Sequence, residues 1–260
     1  MKAAKNTRTE GITEGEIEFK HVIFGYSGAT DVIADVSFTA KPGQTTAFIG
    51  TTGSGKTTIM NLILRLYEMN FGEIKIDGTS IRDYDSDYLR SRISYATQKP
   101  MVFQDTVRNN IMAYDENCSQ ERIMDACDAS EFAEVLAKLP NGLETEMAQG
   151  GMNISGGQRQ RLSLARTLAK DADIYIFDDT FSALDAKTEA SARRKIKEML
   201  KGKTVLMVAQ KISTIVDADQ IVVLDRGRIA GKGTHEELLK NCKEYQEIYQ
   251  TQCYVGKEEM

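Results

Sequence analysis

The sequence predicts an α/β fold built on a largely parallel sheet, and three observations lead there. Short apolar runs of strand length recur at residues 46–49, 174–177, 205–208 and 221–224. Segments of helical density lie between several of them, and buried strands alternating with helices close into a parallel sheet. A glycine-rich turn, Gly50 to Thr58, joins the first run to a helix.

In chain order, residues 1–15 carry little hydrophobic pattern and read as a linker or tail. Ile17-Glu18-Phe19 alternates as a half-buried strand does, and Val36-Ser37-Phe38 continues the pattern. The run at 46–49 stops at Gly50, and residues 59–66 beyond the turn have the density of a buried helix. Ile74-Lys75-Ile76 followed by Asp77-Gly78 reads as a strand and turn. The middle third, about 99–169, is predicted mostly helical, with segments at 121–129, 130–138 and 158–169. Strands return at 174–177 and 205–208. The run at 221–224 leads into the tight turn Asp225-Arg226-Gly227, and a helical tail over 236–252 closes the chain. The α/β core, residues 16–98 and 170–260, is thus interrupted by a helical insertion.

Composition excludes more than it identifies. Of the 260 residues, 41% are hydrophobic and 27% charged, ordinary values for a soluble folded domain. The net charge of −5 argues against a nucleic-acid partner, which usually meets a basic surplus. No window approaches the roughly 18–20 apolar residues of a membrane helix, and the polar N-terminus is no signal peptide. Cys118, Cys127, Cys242 and Cys253 lack C-x-x-C spacing, and His21 and His235 are the only histidines. That set reads as free thiols in a reducing compartment and not as a zinc site; the two histidines need no function.

Three motifs carry chemistry. Gly50-Thr51-Thr52-Gly53-Ser54-Gly55-Lys56-Thr57-Thr58 is a complete G-x-x-x-x-G-K-[ST] between a predicted strand and helix. Its glycines let backbone N–H groups wrap a phosphate at a helix N-terminus. Lys56 is expected to reach the β- and γ-phosphates of a nucleotide and Thr57 to ligate Mg²⁺. Asp178, followed by Asp179, stands at the end of the apolar strand 174–177, where a carboxylate suits Mg²⁺; the alternative is a pair of helix-capping aspartates. Ile154-Ser155-Gly156-Gly157-Gln158 opens a helix with a cap residue and free N–H groups, a second candidate anion site.

With these motifs in this order, the chain from Glu16 onward resembles the nucleotide-binding domains of ATP-binding-cassette (ABC) transporters. Ser155, Gly156, Gly157 and Gln158 match the family's signature. Tyr26, in Phe24-Gly25-Tyr26, matches the aromatic residue that stacks on adenine. Gln98 matches the glutamine that contacts Mg²⁺ and couples to the membrane domains, and Ser182-Ala183-Leu184-Asp185 matches the D-loop. Arg108-Asn109-Asn110-Ile111 and Lys232-Gly233-Thr234-His235 resemble the exporter branch, which includes lipid, multidrug and peptide exporters. The resemblance implies a P-loop NTPase core, an antiparallel β subdomain and an inserted helical subdomain bearing the signature. It implies Mg-ATP as the ligand, and a head-to-tail pair in which each ATP lies between the Walker motifs of one domain and the signature of the other. It also implies a transmembrane partner, and a place on the cytoplasmic face of a membrane. The chain is then the C-terminal domain of a longer transporter or a separate subunit, and its linker-like start suits the first.

Departures from the family pattern cluster at one site. A glutamate that polarises the attacking water is Asp179 here, shorter by one C–C bond, ~1.5 Å. The switch histidine that contacts the γ-phosphate falls at Gln210, which donates a hydrogen bond but does not titrate near neutrality. Before the signature, an expected glutamate-arginine pair is Gln149-Gly150. The signature itself is intact apart from Ile154 in place of leucine. A weak Walker site beside a sound signature is the pattern of one half of a heterodimeric exporter. The alternatives are a homodimer that hydrolyses through Asp179, or a regulatory module that binds ATP without useful turnover. DNA- or ribosome-directed relatives carry a long coiled coil or a second cassette, and neither is present.

Overall fold

The computed structural model describes residues 7–26 and 31–258, with side chains as far as Cys253. The first half contains β1 (Ile17–Phe24), β2 (Ile33–Ala40), β3 (Thr45–Gly50), α1 (Lys56–Ile63), β4 (Phe71–Ile76), β5 (Thr79–Ser80), α2 (Ser86–Ser91) and β6 (Ile93–Ala96). The helical insertion follows as α3 (Val107–Met112), α4 (Gln120–Ala129), α5 (Ala133–Leu136) and α6 (Gly156–Ala169). The remainder runs β7 (Ile174–Asp178), α7 (Ala186–Met199), β8 (Thr204–Val208), α8 (Ile212–Ile215), β9 (Gln220–Asp225), β10 (Arg228–Gly233), α9 (His235–Asn241) and α10 (Lys243–Glu258).

The strands form two sheets. One is antiparallel, in the order β2-β1-β4-β5. The other has six strands in the order β10-β9-β3-β8-β7-β6, parallel throughout except for β10 at its edge. Every residue of β7 and β8 is buried. The reason is the period-2 alternation of a strand with apolar layers on both faces. Ile174 and Ile176 enter one core with α1 and the antiparallel sheet. Tyr175 and Phe177 enter the other, with α4, α6, α7 and Tyr245 of α10. β3, β8 and β9 divide their side chains in the same way. The parallel core, the antiparallel sheet and the helical insertion expected from the sequence are all present.

Several element boundaries differ from expectation, each for a local backbone reason. α1 ends before Leu66 because Arg65 takes a positive φ of 50°. The helix expected over 130–138 shrinks to α5, since Glu131 at φ 59° breaks it from α4. The closing helix is two helices, parted at Cys242, whose backbone is extended. β6 and α2 carry too little apolar pattern to be read, although Asp85 caps α2 by accepting from Asp87 and Tyr88 N–H groups.

The segment read as a tail is held from Arg8 onward; residues 1–6 lie outside the described residues. The Arg8 N–H donates to the Asp83 carbonyl, and Ile12 is buried. The Asp77 carboxylate accepts backbone N–H groups from Thr13, Glu14, Gly15 and Glu16 at 2.8–3.1 Å. Polarity hid this anchoring, because it uses main-chain donors and one distant carboxylate. In the helical insertion, the buried Arg166 guanidinium donates to the Met101 carbonyl at 2.7 Å, the Asn110 carbonyl at 2.6 Å and Asn110 Oδ1 at 2.8 Å. It thereby ties the chain that follows Gln98 to α3 and α6. Among the described residues no helix is long and apolar enough to cross a membrane.

Asp77→Ala is expected to cost about 1 kcal/mol, from the loss of four charge-assisted bonds of which only that to Gly15 is partly buried. It should also open residues 8–16 to protease. Urea denaturation and limited proteolysis check this, and an unchanged cleavage pattern would show that the four bonds do not anchor the segment.

Candidate functional site

The site forms where the parallel strands β3 and β7 end. β3 delivers its last residue into the turn 50–55, and α1 starts at Lys56. Two glycines of that turn permit no side chain. A Cβ on Gly50 would meet the Leu224 carbonyl oxygen at 2.0 Å, and one on Gly55 would meet Ile33 Cδ1 at 2.6 Å. Both sit at positive φ, where glycine carries no steric penalty. Lys56 Nζ donates to the Gly50 carbonyl at 2.8 Å, the Thr51 carbonyl at 2.9 Å and Ser54 Oγ at 3.3 Å. Its ammonium is therefore folded over the turn.

From β7, Asp178 enters the same space. Thr57 Oγ1 donates to Asp178 Oδ1 at 3.2 Å, and the Tyr95 hydroxyl on β6 donates to Oδ2 at 2.9 Å. The next residue, Asp179, has a positive φ of 51° and turns its carboxylate back into the cleft. There Oδ2 accepts from Gln98 Nε2 at 3.1 Å and Gln210 Nε2 at 2.5 Å. Gln98 follows β6 and Gln210 follows β8, so strands on both sides of β7 supply the donors.

Thr52, Gly53, Gly55, Lys56, Thr57, Thr58, Gln98, Asp178, Asp179 and Gln210 all line one cleft of about 210 Å³. Sequence reasoning missed three contributors. Val32 and Val208 line the wall, and Tyr95, beside it, orients Asp178; no motif marks these residues. Tyr26 stands at the α1 end, with its hydroxyl 3.3 Å from Thr58 Oγ1 and its ring edge-on to Phe24 and Tyr67.

Burial governs the electrostatics. It pushes the Lys56 ammonium below its ordinary range, against the opposing pull of Asp178 and Asp179. Burial raises Asp178 despite the hydrogen bonds from Tyr95 and Thr57, and raises Asp179 despite those from Gln98 and Gln210. Two carboxylates held in a desolvated cleft beside a hydroxyl are hard oxygen donors, the chemistry that fits Mg²⁺. The glycine turn before α1, with Lys56 over it, fits a phosphate chain.

Ser155, Gly156, Gly157 and Gln158 do not line the cleft. They open α6 on the helical insertion, where Ser155 and Gln158 form a reciprocal capping box: Ser155 N–H to Gln158 Oε1 at 2.8 Å and Gln158 N–H to Ser155 Oγ at 3.3 Å. Gly157 abuts the segment 182–185, since a Cβ there would lie 3.4 Å from the Ala183 carbonyl oxygen. Asp185 caps α7 by accepting from the Thr188 N–H at 3.0 Å. Gln149-Gly150 lies in a short 3₁₀ turn in which Gly150 has a φ of 66°.

A sequence profile for the family described as ABC transporter matches residues 33–182. The ATP-dependent lipid A-core flippase of Desulfotalea psychrophila is 41% identical over 236 residues, covering 91% of this chain and 41% of that protein. The protein of the same name from Vibrio vulnificus is 39% identical over 260 residues, 98% of this chain and 45% of that one. Among solved structures, a bacterial Atm1-family ABC exporter with ATP bound matches with a TM-score of 0.92 at 33% identity, covering 96% of this chain and 44% of that one. The chain spans less than half the length of each of these three proteins.

The raised Asp178 generates a test with a definite sign. Its ionised form costs the fold stability in full above the raised folded-state pKa, and the cost is gone below the unfolded value near ~3.9. Without nucleotide or metal, Asp178→Asn should melt above the native chain at pH 7, with the gap closing as pH falls. Calorimetry over a pH series checks this; a gap that does not change with pH would mean that burial of the charge is not its cause.

Proposed function

The chain belongs to the ABC transporter family, and from that premise we propose that it is the ATP-driven motor domain of an exporter, working at the cytoplasmic face of a membrane. The observation that carries the reading is the separation of two anion sites. Lys56, Thr57 and Asp178 converge in one cleft, whereas Ser155 to Gln158 lie outside it. A phosphate held by the turn 50–55 is then capped by the signature of a second domain, paired head to tail. Two such domains and their transmembrane partners make the working unit.

Each residue has a role on this reading. Tyr26 supports the base. Gly50, Thr51, Thr52, Gly53, Ser54, Gly55 and the start of α1 hold phosphate oxygens through backbone N–H groups, and Thr58 borders them. Lys56 leaves its carbonyl partners for the β- and γ-phosphates. Thr57, Asp178 and Gln98 would hold Mg²⁺, which when bound would neutralise charge on the phosphates. Asp179 orients the attacking water and accepts its proton, and Gln210 faces the γ-phosphate. Ser155, Gly156, Gly157 and Gln158 serve the partner's nucleotide, and Asp185 orders the D-loop between the two. The relatives named as lipid A-core flippases favour a lipid-like cargo.

We further infer that this chain's own site turns over slowly, as in one half of a heterodimer. Asp179 is one methylene short of the family's glutamate, and its Oδ2 is engaged by two amide donors, Gln98 and Gln210. Burial keeps its basicity raised despite these bonds, so the loss lies in the shortened reach, and Gln210 offers no titrating proton. Both effects weaken the same step.

Magnesium-dependent ATP turnover at high protein concentration should rise by about ten- to a hundredfold in Asp179→Glu/Gln210→His, the scale expected of a displacement near 1 Å. Equal, fast turnover in both chains would favour a homodimeric motor. Turnover in a reconstituted heterodimer that runs mainly at this chain's own Walker motifs would refute the weak-site reading.

A further inference from the structure

We propose that Gln252, on the C-terminal helix α10, is a positioning residue that clamps the backbone of residues 210–212 and so aims the Gln210 amide at Asp179. The inference rests on the reading of this cleft as an ATPase site. Two hydrogen bonds carry it. Gln252 Nε2 donates to the Gln210 carbonyl at 2.7 Å. Gln252 Oε1 accepts from the Ile212 N–H at 2.9 Å. One planar amide thereby satisfies an acceptor and a donor on either side of Lys211, as one peptide group pairs with another in a sheet ladder. The Gln210 side chain then donates to Asp179 Oδ2 at 2.5 Å. α10, Gln252, Gln210 and Asp179 are linked in series.

The surroundings explain why a hydrogen-bond clamp is needed. α8 is a single turn whose N-cap residue, Lys211, makes no side-chain cap. Its first N–H, on Ile212, has no partner within the helix, and Gln252 supplies one. A cavity of about 750 Å³ adjoins Asp179 and Gln210 on this side, with Ile212, Val216, Tyr249 and Gln252 in its wall. Across incompletely filled space, van der Waals contact leaves orientation free, and directional bonds fix it. α10 is anchored independently of the clamp: Tyr245 is fully buried, and its hydroxyl lies 2.7 Å from His235 Nδ1. Gln252 therefore presents its amide from a fixed support, seven residues beyond the anchor.

The test uses the full chain and Gln252→Met, which keeps the length and flexibility of the side chain without either hydrogen bond. Amide hydrogen exchange at Ile212 should accelerate by about tenfold or more while the β8 amides keep their protection. Unchanged protection at Ile212 overturns the proposal. Mg-ATP turnover is measured beside it, in the native chain and in Asp179→Glu/Gln210→His. Gln252→Met should lower kcat by roughly tenfold with KM within about twofold, because the clamp orients the reacting end and does not hold the nucleotide. A fall in thermal midpoint with kcat unchanged would assign Gln252 a merely structural role and overturn the proposal. If the double variant turns over as slowly as the native chain, pairing of the domains limits turnover, and exchange at Ile212 decides the clamp by itself.

Discussion

The carboxylate of Asp178 is the constraint on which the rest of the site depends. It is 2% exposed at the end of a strand buried along its whole length. A charge in that place is costly unless hydrogen bonds and a cation answer it. Thr57 and Lys56 answer from the start of α1 and Tyr95 from β6. The one carboxylate thus draws α1 and β6 to the end of β7, three elements remote in sequence. Its pKa is still raised, so the protein alone does not fully compensate the burial. A divalent cation there would complete the compensation, in line with the proposed reading of the cleft.

The neighbouring Asp179 is treated differently by the fold. Two uncharged amides engage one of its oxygens, and each amide comes from a strand flanking β7. Gln98 in turn leads into the segment that Arg166 secures to the helical insertion, and Gln210 leads into the segment held by Gln252. The carboxylate therefore sits at a junction between the helical insertion and the C-terminal helices. Hydrogen bonds and short stretches of chain connect both to Asp179.

The same economy of polar contacts fixes the start of the chain. Four consecutive backbone N–H groups converge on Asp77, in the turn after β4. Ile12 supplies the apolar contact beside them. A segment without hydrophobic periodicity is held because its main-chain donors find a carboxylate more than sixty residues away. Its linker-like composition describes its side chains correctly and gives no sign of this attachment.

Local periodicity and spacing determined the α/β class, the strands at 174–177, 205–208 and 221–224, the helix behind the glycine-rich turn and the helical insertion. Buried strands must be apolar at every position, and a phosphate turn must place glycine where a side chain would collide, as at Gly50 and Gly55. Such requirements are written residue by residue and can be read that way. Only the tertiary structure decided that Tyr95 orients Asp178, that Gln98 and Gln210 share one oxygen of Asp179, and that Gln252 grips the backbone beside it. It also decided where helices stop, at Arg65, Glu131 and Cys242. These outcomes depend on pairings between residues distant along the chain, and on backbone angles set by their surroundings. Neither leaves a local pattern, because a tyrosine or glutamine that makes such a bond has the same identity and neighbours in sequence as one that does not.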